Sequence, residues 1–352
     1  MKLQMRFLRA RLRAPWVGAH DSVGVRPLAL VSVETADGHM GYGEAAPLES
    51  YDGVRIDDVR AALEDCRAPL SDSDGADSDR EHLLERCRKV AVLPQAVAAI
   101  DLALWDLAGR RARAPVWQLL GAAAPAPDIE VNATIAAADR AGAAREAAAA
   151  VAAGFSVIKV KVGLGDDAGR VAAVRAAAGP TIAIRLDANG AWTVAEAGAA
   201  LDALAPAGIE LCEEPVRGVG ELSELAALTD LALAIDETAA EPGALDRRLC
   251  AAACLKIGRC GGISGTLDAA RRARAAGYEV YLASTLDGPL GIAAALHAAA
   301  AIRPDLPSGL ATLDHFEGRP DPLALSRAGH MRPPAGAGLG EGLLSWYGLD
   351  AR

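Results

Sequence analysis

The stretch Val157-Ile158-Lys159-Val160-Lys161-Val162 alternates branched apolar residues with two lysines. Side chains two positions apart in a β-strand point to the same face, so the two lysines share one face and the apolar residues fill the other. Lysines of this kind often protect the open edge of a sheet from aggregation. A closed barrel has no open edge, and two lysines that point into a barrel therefore indicate a functional role.

Short β-rich runs and Ala-rich helical stretches alternate along the chain from residue 126 to residue 320. A strand every roughly 20–30 residues, each followed by a helix, is typical of an α/β fold in which eight parallel strands close into a (β/α) barrel. The predicted strands are residues 130–134, 157–162, 183–187, 209–213, 231–236, 254–257, 279–283 and 309–313. We therefore predict a barrel catalytic domain over residues 126–320.

The residues before this barrel have another pattern, in which strands come first and helices follow. Residues 28–35 and 40–44 are β-rich and are separated by the turn Asp37-Gly38, whereas helical periodicity covers residues 56–88 and 94–108. Such an order favours a separate α+β unit, which we place at residues 1–125. The glycine-rich end of the chain, residues 321–352, is expected to pack back on this first unit.

Composition and charge exclude several classes of partner. The formal net charge of −10 disfavours binding to a polyanion, so no nucleic acid is expected. The N-terminal residues scatter charges among apolar ones and no apolar run has membrane length, so we expect a cytoplasmic protein without a membrane partner. The six cysteines are few and irregularly spaced, so they are expected to be reduced and packed. A zinc cluster at Cys250, Cys254 and Cys260 is disfavoured because it would lack the usual CxxC pair.

Three successive predicted strands end in carboxylates, namely Asp187, Glu213 and Asp236. An isolated acidic residue at a strand end is more often a helix cap or a solvated charge. The C-terminal ends of barrel strands meet at one mouth, however, so the series predicts an all-oxygen pocket suited to Mg²⁺. Strand alternation places Glu213 on the inward face and the adjacent Glu214 on the other.

A third lysine, Lys256, lies in the predicted sixth strand between apolar neighbours. The ordinary explanation for such a residue is a lysine whose stem packs on apolar surface while its ammonium reaches water. In a barrel of eight strands, however, the second and sixth strands lie on opposite sides of the mouth. Lys161 and Lys256 are therefore expected to face each other across a substrate held on the metal.

These residues together resemble the enolase superfamily, and within it the muconate-lactonizing-enzyme-like subgroup. The pattern consists of Lys-Val-Lys, the Asp/Glu/Asp series, Gly-Arg-Cys-Gly-Gly-Ile after Lys256, and Ala-Leu-Trp-Asp-Leu-Ala-Gly at residues 103–109. The resemblance implies a modified TIM-type barrel with a capping domain that the C-terminal tail completes. A mandelate-racemase-like relative would carry a histidine near the end of the seventh strand, where this chain has Ser284 and Thr285, so that subgroup is disfavoured.

The resemblance also implies roles for individual residues. The metal ligands would be Asp187, Glu213 and Asp236, holding Mg²⁺ or, as a substitute, Mn²⁺. Lys161 and Lys256 would be the acid and base that remove a proton beside the carboxylate of a small-molecule substrate, and Lys159 would be an electrostatic helper. A base must be neutral at working pH, but a free lysine titrates at about 10.4. We therefore expect the neighbouring Lys159 ammonium and partial burial to depress the pKa of Lys161.

The shared residues leave the substrate open among three reactions of the subgroup: dehydration to o-succinylbenzoate in menaquinone synthesis, epimerisation of dipeptides or N-acylamino acids, and cycloisomerisation of muconate. A non-catalytic binding relic is disfavoured because all the polar positions are kept. Dipeptide epimerases have Asp-x-Asp in the eighth strand, whereas Gly-Leu-x-Thr-Leu-Asp here is similar to the stretch in o-succinylbenzoate synthases, so dehydration is the prediction. The candidate substrate-binding residues are Asn189, Ser284, Thr285, Thr312, Asp314 and His20.

Two turn-rich segments of the capping domain, residues 16–23 and residues 44–53, are candidate lids. A barrel mouth open to water would weaken each electrostatic contact inside it, so a cover is expected. The family resemblance implies that such loops choose the substrate. For His20, an ordinary surface histidine is the competing explanation. Self-association into a homo-oligomer is one of the partner expectations for this chain.

Overall fold

The computed structural model describes residues 1–72 and 80–349. Residues 73–79, which fall within the predicted helical run 56–88, lie outside the described residues. The N-terminal unit contains the antiparallel strands β1 (Lys2–Val17), β2 (Ser22–Glu34) and β3 (Met40–Ala45), in that order across the sheet. Its helices are α1 (Glu49–Asp52), α2 (Ile56–Asp65), α3 (Arg67–Ser71), α4 (Arg80–Val90), α5 (Pro94–Ala112) and α6 (Val116–Leu119).

The long helix α5 packs directly on strand β3. Its N-terminus begins at Pro94, a residue that suits the first turn because it has no N–H to leave unpaired. Two glycines of β3 allow the close approach: a Cβ on Gly41 would lie 2.1 Å from the Ala103 oxygen, and one on Gly43 would lie 2.0 Å from the Ala99 oxygen. The predicted order of strands before helices is confirmed.

The second unit contains the predicted barrel sheet. Its strands are β4 (Ile129–Glu130), β5 (Ala133–Ile135), β6 (Val157–Lys161), β7 (Ala183–Asp187), β8 (Ile209–Glu213), β9 (Ala232–Ile235), β10 (Ala252–Leu255) and β11 (Glu279–Leu282), with β12 (His330–Met331) in the tail. Strands β5 to β11 form one parallel sheet in sequence order. The helices are α7 (Arg140–Ala152), α8 (Asp167–Ala178), α9 (Val194–Leu204), α10 (Val219–Ala226), α11 (Ile257–Cys260), α12 (Ile263–Ala276) and α13 (Pro289–Ile302).

The predicted first and eighth strands differ from the structure. Residues 130–134 divide into β4, which pairs with β12, and β5, which joins the barrel sheet. The strand predicted at residues 309–313 is wrong: only Ser308 and Gly309 form bridges, to Val131 and Ala283. Those two bridges join the edges of the sheet, and residues 313–315 then turn as a short 3₁₀ helix. Leu310 and Leu313 of this segment are therefore buried next to the sheet without strand pairing.

The predicted sixth strand, residues 254–257, begins two residues too late. Strand β10 starts at Ala252, inside an alanine run whose composition is typical of helices. It ends at Leu255, and α11 begins at Ile257, so Lys256 lies at the junction between strand and helix. The other predicted barrel strands agree with the structure to within one residue at each end.

The C-terminal tail makes hydrogen bonds to the N-terminal unit. The Leu339 amide donates to Asp106 Oδ1 at 2.8 Å, and the Tyr347 hydroxyl donates to the Glu44 carboxylate. All six cysteines are free thiols, five of them buried and Cys260 half-buried. Within residues 1–72 and 80–349, no helix combines the length and the apolar character needed to cross a bilayer.

Candidate active site

Strand β6 directs both of its lysines into the barrel mouth, as predicted. The side chains of Lys159 and Lys161 are only 9% and 11% exposed, although lysine is rarely buried without a partner. The apolar residues between and beside them, Ile158 and Val160, are fully buried on the opposite face. The alternation of the sequence therefore places two ammonium groups in one buried cluster.

The three strand-end carboxylates lie beside these lysines. Parallel register puts Lys161 opposite Asp187 and Asp187 opposite Glu213, so adjacent strands deliver their polar residues at the same height. Asp236 follows directly after β9, and the side chains of all three acids are 1% exposed. The predicted convergence of one carboxylate from each of three successive strands is present.

Each lysine is paired with a carboxylate of the cluster. Lys161 Nζ lies 2.7 Å from Asp187 Oδ2, and Lys159 Nζ lies 2.9 Å from the same oxygen and 3.1 Å from Glu213 Oε1. Lys256 Nζ lies 2.5 Å from Asp236 Oδ2. Buried charges need such partners, because an unpaired charge in a low-dielectric interior is costly.

The pairing decides the direction of several pKa shifts. Burial acts to lower the pKa of Lys159, but the Asp187 and Glu213 carboxylates outweigh it and the pKa lies above its ordinary value. Burial likewise opposes the Asp236 carboxylate at Lys256, and there too the pKa is raised. For Asp187, burial is outweighed by Lys159 and Lys161, so its pKa is lowered. The expected depression of the Lys161 pKa by Lys159 stays a prediction.

The donor set fits a hard divalent cation. Ligand atoms of Glu213, Asp236 and Cys254 lie within 4.8 Å of one another. Asp187 is next to this group, because Lys159 Nζ contacts both the Asp187 and the Glu213 carboxylates. Burial raises the pKa of the Cys254 thiol well above its ordinary value, which keeps it protonated and a poor ligand. The carboxylates are then the available donors, a set that suits Mg²⁺ rather than zinc. Cys250, Cys254 and Cys260, the cysteines considered for a zinc cluster, do not form such a group among the described residues.

Two tyrosines contact the cluster and were not recognised as site residues from the sequence. The Tyr51 hydroxyl donates to Asp236 Oδ1 at 2.7 Å, and its ring lies 4.0 Å from Lys256 Nζ. The Tyr281 hydroxyl donates to Glu213 Oε2 at 2.6 Å from β11. Tyr51 lies within the predicted lid segment 44–53, which was the available signal, whereas nothing local to Tyr281 indicates its partner.

Glu214 points away from the cluster, in agreement with the prediction from strand alternation. Its carboxylate accepts hydrogen bonds from the backbone amides of Asp236 and Thr238, at 2.6 and 2.9 Å. The residue has a positive φ of 41°, which turns the chain out of β8 at this point. Glu214 therefore holds the segment that carries Asp236, whereas Glu213 faces the mouth.

Both candidate lids border the cavity at the mouth. Residues 16–23 form the tip of the β1–β2 hairpin, where Trp16 pairs with Val23. His20 Nε2 lies 2.7 Å from the Asn189 backbone oxygen, and the Asn189 side-chain oxygen accepts from Lys161 Nζ at 2.7 Å. Leu48 and Tyr51 of the second segment line the same space. The structure thus brings His20 and Asn189 to the cavity beside Lys161.

The opposite wall of the cavity is neutral. Ser284, Thr285 and Thr312 line it, and the Ser284 and Thr312 hydroxyl oxygens lie 2.8 Å apart. Asp314, predicted to bind substrate, is exposed and does not line the cavity, because the chain turns at residues 313–315. We call the wall formed by residues 283–286 and 308–312 the neutral wall.

A larger cavity, about 720 Å³, lies between α4, α5 and α12. None of the three active-site lysines, Lys159, Lys161 and Lys256, lines it.

Fold and site together define the class of protein, which is a (β/α)-barrel enzyme with buried lysines and carboxylates at a mouth covered by a capping unit. The chain belongs to the enolase superfamily, in its muconate-lactonizing-enzyme-like subgroup. Residues 3–121 match the family "Mandelate racemase / muconate lactonizing enzyme, N-terminal domain", and residues 142–344 match "Enolase C-terminal domain-like". The predicted superfamily and subgroup are confirmed.

Relatives with different activities are similar to this chain. An N-succinyl-L-Arg/Lys racemase of Bacillus cereus is 30% identical over 302 residues, covering 83% of this chain and 81% of the relative. An o-succinylbenzoate synthase of Mycobacterium bovis is 43% identical over 176 residues, covering 47% of this chain and 52% of the relative. The crystal structure of a dipeptide epimerase of Cytophaga hutchinsonii, with Mg and D-Ala-L-Val, superimposes with a TM-score of 0.90 at 26% identity, covering 99% and 97% of the two chains.

Proposed function

We propose that this chain is a metal-dependent lyase, an o-succinylbenzoate synthase that dehydrates 2-succinyl-6-hydroxy-2,4-cyclohexadiene-1-carboxylate in menaquinone synthesis. The observation that carries this proposal is the neutral wall, where Thr312 pairs with Ser284. An amino-acid or dipeptide substrate with a free ammonium group would be best bound by a carboxylate. The residues of the neutral wall offer hydroxyl groups instead, which suits a substrate without that positive charge.

The residues proposed to hold the metal are Asp187, Glu213 and Asp236, with Mg²⁺ as the natural ion and Mn²⁺ as a substitute. Supporting this, the related Cytophaga hutchinsonii epimerase was crystallised with Mg. Bound there, the ion would stabilise the negative charge that develops on the substrate carboxylate when the neighbouring proton leaves. The roles of Asn189, Ser284, Thr285, Thr312 and His20 in substrate binding are proposed from their positions at the cavity.

Lys161 is the proposed base. Its neutral amine takes the proton from the carbon beside the carboxylate, and the electron pair passes into the carboxylate to give an enediolate. When the C–O bond to the ring hydroxyl breaks, the same lysine returns the proton, and the hydroxyl leaves as water. Lys256, four strand positions away in the parallel sheet, lies across the mouth and stabilises the charge as an ammonium group.

The decisive experiment compares three substrates with the purified protein and Mg²⁺. We expect kcat/KM for dehydration of the cyclohexadiene carboxylate to be far higher than kcat/KM for epimerisation of L-Ala-L-Glu or racemisation of an N-succinylamino acid. A clear preference for either amino-acid substrate would overturn the proposed dehydration. Proton abstraction by Lys161 would still stand in that case, because all three reactions begin with it.

A dipeptide epimerase or N-acylamino acid racemase is the second candidate, and one observation favours it. The carboxylates of Asp21 and Glu237 belong to residues that line the part of the cavity beneath the hairpin tip. Glu237 Oε2 is buried and, within the described residues, has no hydrogen-bond partner. A carboxylate at this part of the cavity would suit a substrate with an ammonium or N–H group. The three-substrate comparison separates this candidate from the first.

The domain boundaries at residues 125 and 320, a cytoplasmic location and a homo-oligomer remain proposals. Hydrogen bonds from Leu339 and Tyr347 to the N-terminal unit support a tail that completes the capping domain. Expression of residues 126–320 alone should then give an unstable protein. Sedimentation of the full chain measures the oligomeric state.

A further inference from the structure

Arg26 of β2 is fully buried and contacts backbone rather than an acidic side chain. Its guanidinium donates to the carbonyl oxygens of Pro47 at 2.7 Å, Ala46 at 2.8 Å and Leu286 at 3.4 Å. Burial lowers its pKa to about 10, so the group stays charged at neutral pH. Ala46 and Pro47 belong to the second candidate lid, residues 44–53, just before Leu48. Leu286 belongs to the neutral wall of the barrel.

Glu44 of β3 makes a second contact to the same barrel loop. Its Oε1 atom accepts from the Gly288 amide at 2.7 Å, and its other oxygen accepts from the Tyr347 hydroxyl. The loop between β11 and α13 is therefore held at two points, Leu286 and Gly288, by two buried side chains of the capping sheet. Asp287 lies between these two points, and its carboxylate attracts the Arg26 guanidinium and repels the Glu44 carboxylate.

The loop is held in a conformation that its sequence does not favour. Leu286 has a φ of 57°, in the left-handed region that branched and bulky residues rarely adopt. Such residues persist only when the surrounding structure determines their position. Leu286 also lines the cavity, together with the adjacent Ser284 and Thr285. The contacts that hold this loop thus set the position of half of the neutral wall.

We propose that Arg26 and Glu44 are positioning residues, a clamp by which the capping domain sets the shape of the neutral wall and thereby the fit of the substrate. The capping domain then acts on specificity in two ways, through the lids that touch the cavity and through this clamp on a barrel loop. The inference rests on the proposed function only in taking the cavity as the place where substrate binds.

The test replaces Arg26 by Met and by Lys, with Arg175 as a matched control. Arg175 also donates to backbone carbonyls, those of Ala207, Gly179 and Ile182, each at 2.7 Å, but at the end of the barrel away from the mouth. KM and kcat are measured for the substrate that the wild type prefers among the three above. A displaced wall weakens ground-state and transition-state binding alike, so KM should rise about tenfold or more in Arg26→Met while kcat stays within about threefold.

In Arg26→Lys the charge is kept but one ammonium cannot span three carbonyls, so a smaller rise in KM is expected. Arg175→Met should lower thermal stability and leave KM at the wild-type value. An unchanged KM in Arg26→Met, or the same rise in Arg175→Met, would overturn the clamp. Preference for an amino-acid substrate would overturn only the dehydration, since the KM comparison uses whichever substrate is preferred.

Hydrogen exchange measured by mass spectrometry gives a result that needs no activity. Peptides covering residues 284–288 should exchange at least about tenfold faster in Arg26→Lys than in the wild type, because local opening follows the loss of the contacts that hold a segment. Arg175→Lys should not change these peptides. Equal protection of residues 284–288 in all three proteins would overturn the proposal. This test does not use Arg26→Met and therefore holds even where that variant fails to fold.

Discussion

The wall of the cavity built by β6 to β10 and the neutral wall opposite it enclose the same space but hold different kinds of side chain. The first carries Lys159, Lys161, Lys256 and three carboxylates, each less than 12% exposed and paired with an opposite charge. The second carries hydroxyl groups and apolar residues. A racemase and an epimerase resemble this chain over most of its length. We therefore expect the charged wall to serve the proposed proton transfer and the differences among substrates to arise elsewhere in the cavity.

The largest effect is expected from the charged wall. Lys161→Ala and Lys256→Ala should each reduce activity by about 10²–10⁴-fold or more while the protein stays folded, since general acid/base and electrostatic contributions have this size. Exchange of the substrate α-proton in deuterated buffer distinguishes the two lysines. Exchange should stop in Lys161→Ala and partly persist in Lys256→Ala if one lysine serves both proton steps.

The control for the lysine variants is Lys89→Ala, at the exposed end of α4. Its activity should equal that of the wild type. Normal α-proton exchange in Lys161→Ala would show that another group is the base.

Binding of Mg²⁺ at the charged wall should raise the melting temperature, because the ion relieves the repulsion among three buried carboxylates. At a concentration of 100 times its Kd, the expected stabilisation is about 2.7 kcal/mol. Asp187→Asn or Asp236→Asn should abolish both this shift and the activity. Asp230→Asn, an exposed acid just before β9, should keep both, and full activity after exhaustive EDTA treatment would contradict the metal assignment.

A charge placed on the neutral wall should shift the selectivity of the enzyme towards a substrate with an ammonium group. Thr312→Asp puts a carboxylate opposite Ser284, where it would repel an anionic substrate and attract an ammonium group. The ratio of kcat/KM for dehydration to kcat/KM for L-Ala-L-Glu epimerisation should fall by about 10- to 100-fold. Asp314→Asn removes a charge that is exposed beyond the turn, so the ratio should not change; equal ratios in Thr312→Asp and wild type would remove the neutral wall from the explanation of specificity.

The smallest effect concerns His297, a fully buried neutral residue of the α13 helix that follows the neutral wall. Its Nδ1 accepts from the Trp117 amide, and Nε2 lies 3.2 Å from the Leu339 oxygen. Burial lowers its pKa from 6.5 to about 4, so the unfolded chain binds the proton more tightly. The His297 contribution to stability is therefore complete above about pH 6.5 and is lost as the pH falls towards 4, by about 2 kcal/mol at pH 5.

His297→Gln should flatten the dependence of unfolding free energy on pH between pH 7 and pH 5, because the amide can make both hydrogen bonds without titrating. Denaturant unfolding at the two pH values measures the slope. His82→Gln, at an exposed position of α4, should leave the slope unchanged. A wild-type slope in His297→Gln would show that the histidine titrates normally or that other groups dominate.

Local pattern was sufficient for most of the charged wall. Alternation in β6 placed Lys159 and Lys161 on one face, and the ends of β7, β8 and β9 placed Asp187, Glu213 and Asp236 at the mouth. Each of these inferences depends on the two-residue repeat of a strand and on the common edge of parallel strands, both of which are properties of a few consecutive residues. The same rule separated Glu213 from Glu214 correctly.

The neutral wall and its supports were decided by tertiary structure. A short β-rich run predicted a strand at residues 309–313, but closure of the sheet needs only Ser308 and Gly309, and the following turn directs Asp314 outward. The contacts of Tyr51 with Asp236, of Tyr281 with Glu213 and of Arg26 with Leu286 join residues 68 to 260 positions apart. The sequence by itself therefore determined which charged groups meet at the mouth, because strand geometry repeats locally. Only the packed molecule decided what else surrounds the cavity, because those contacts form between segments that nothing in their local sequence relates.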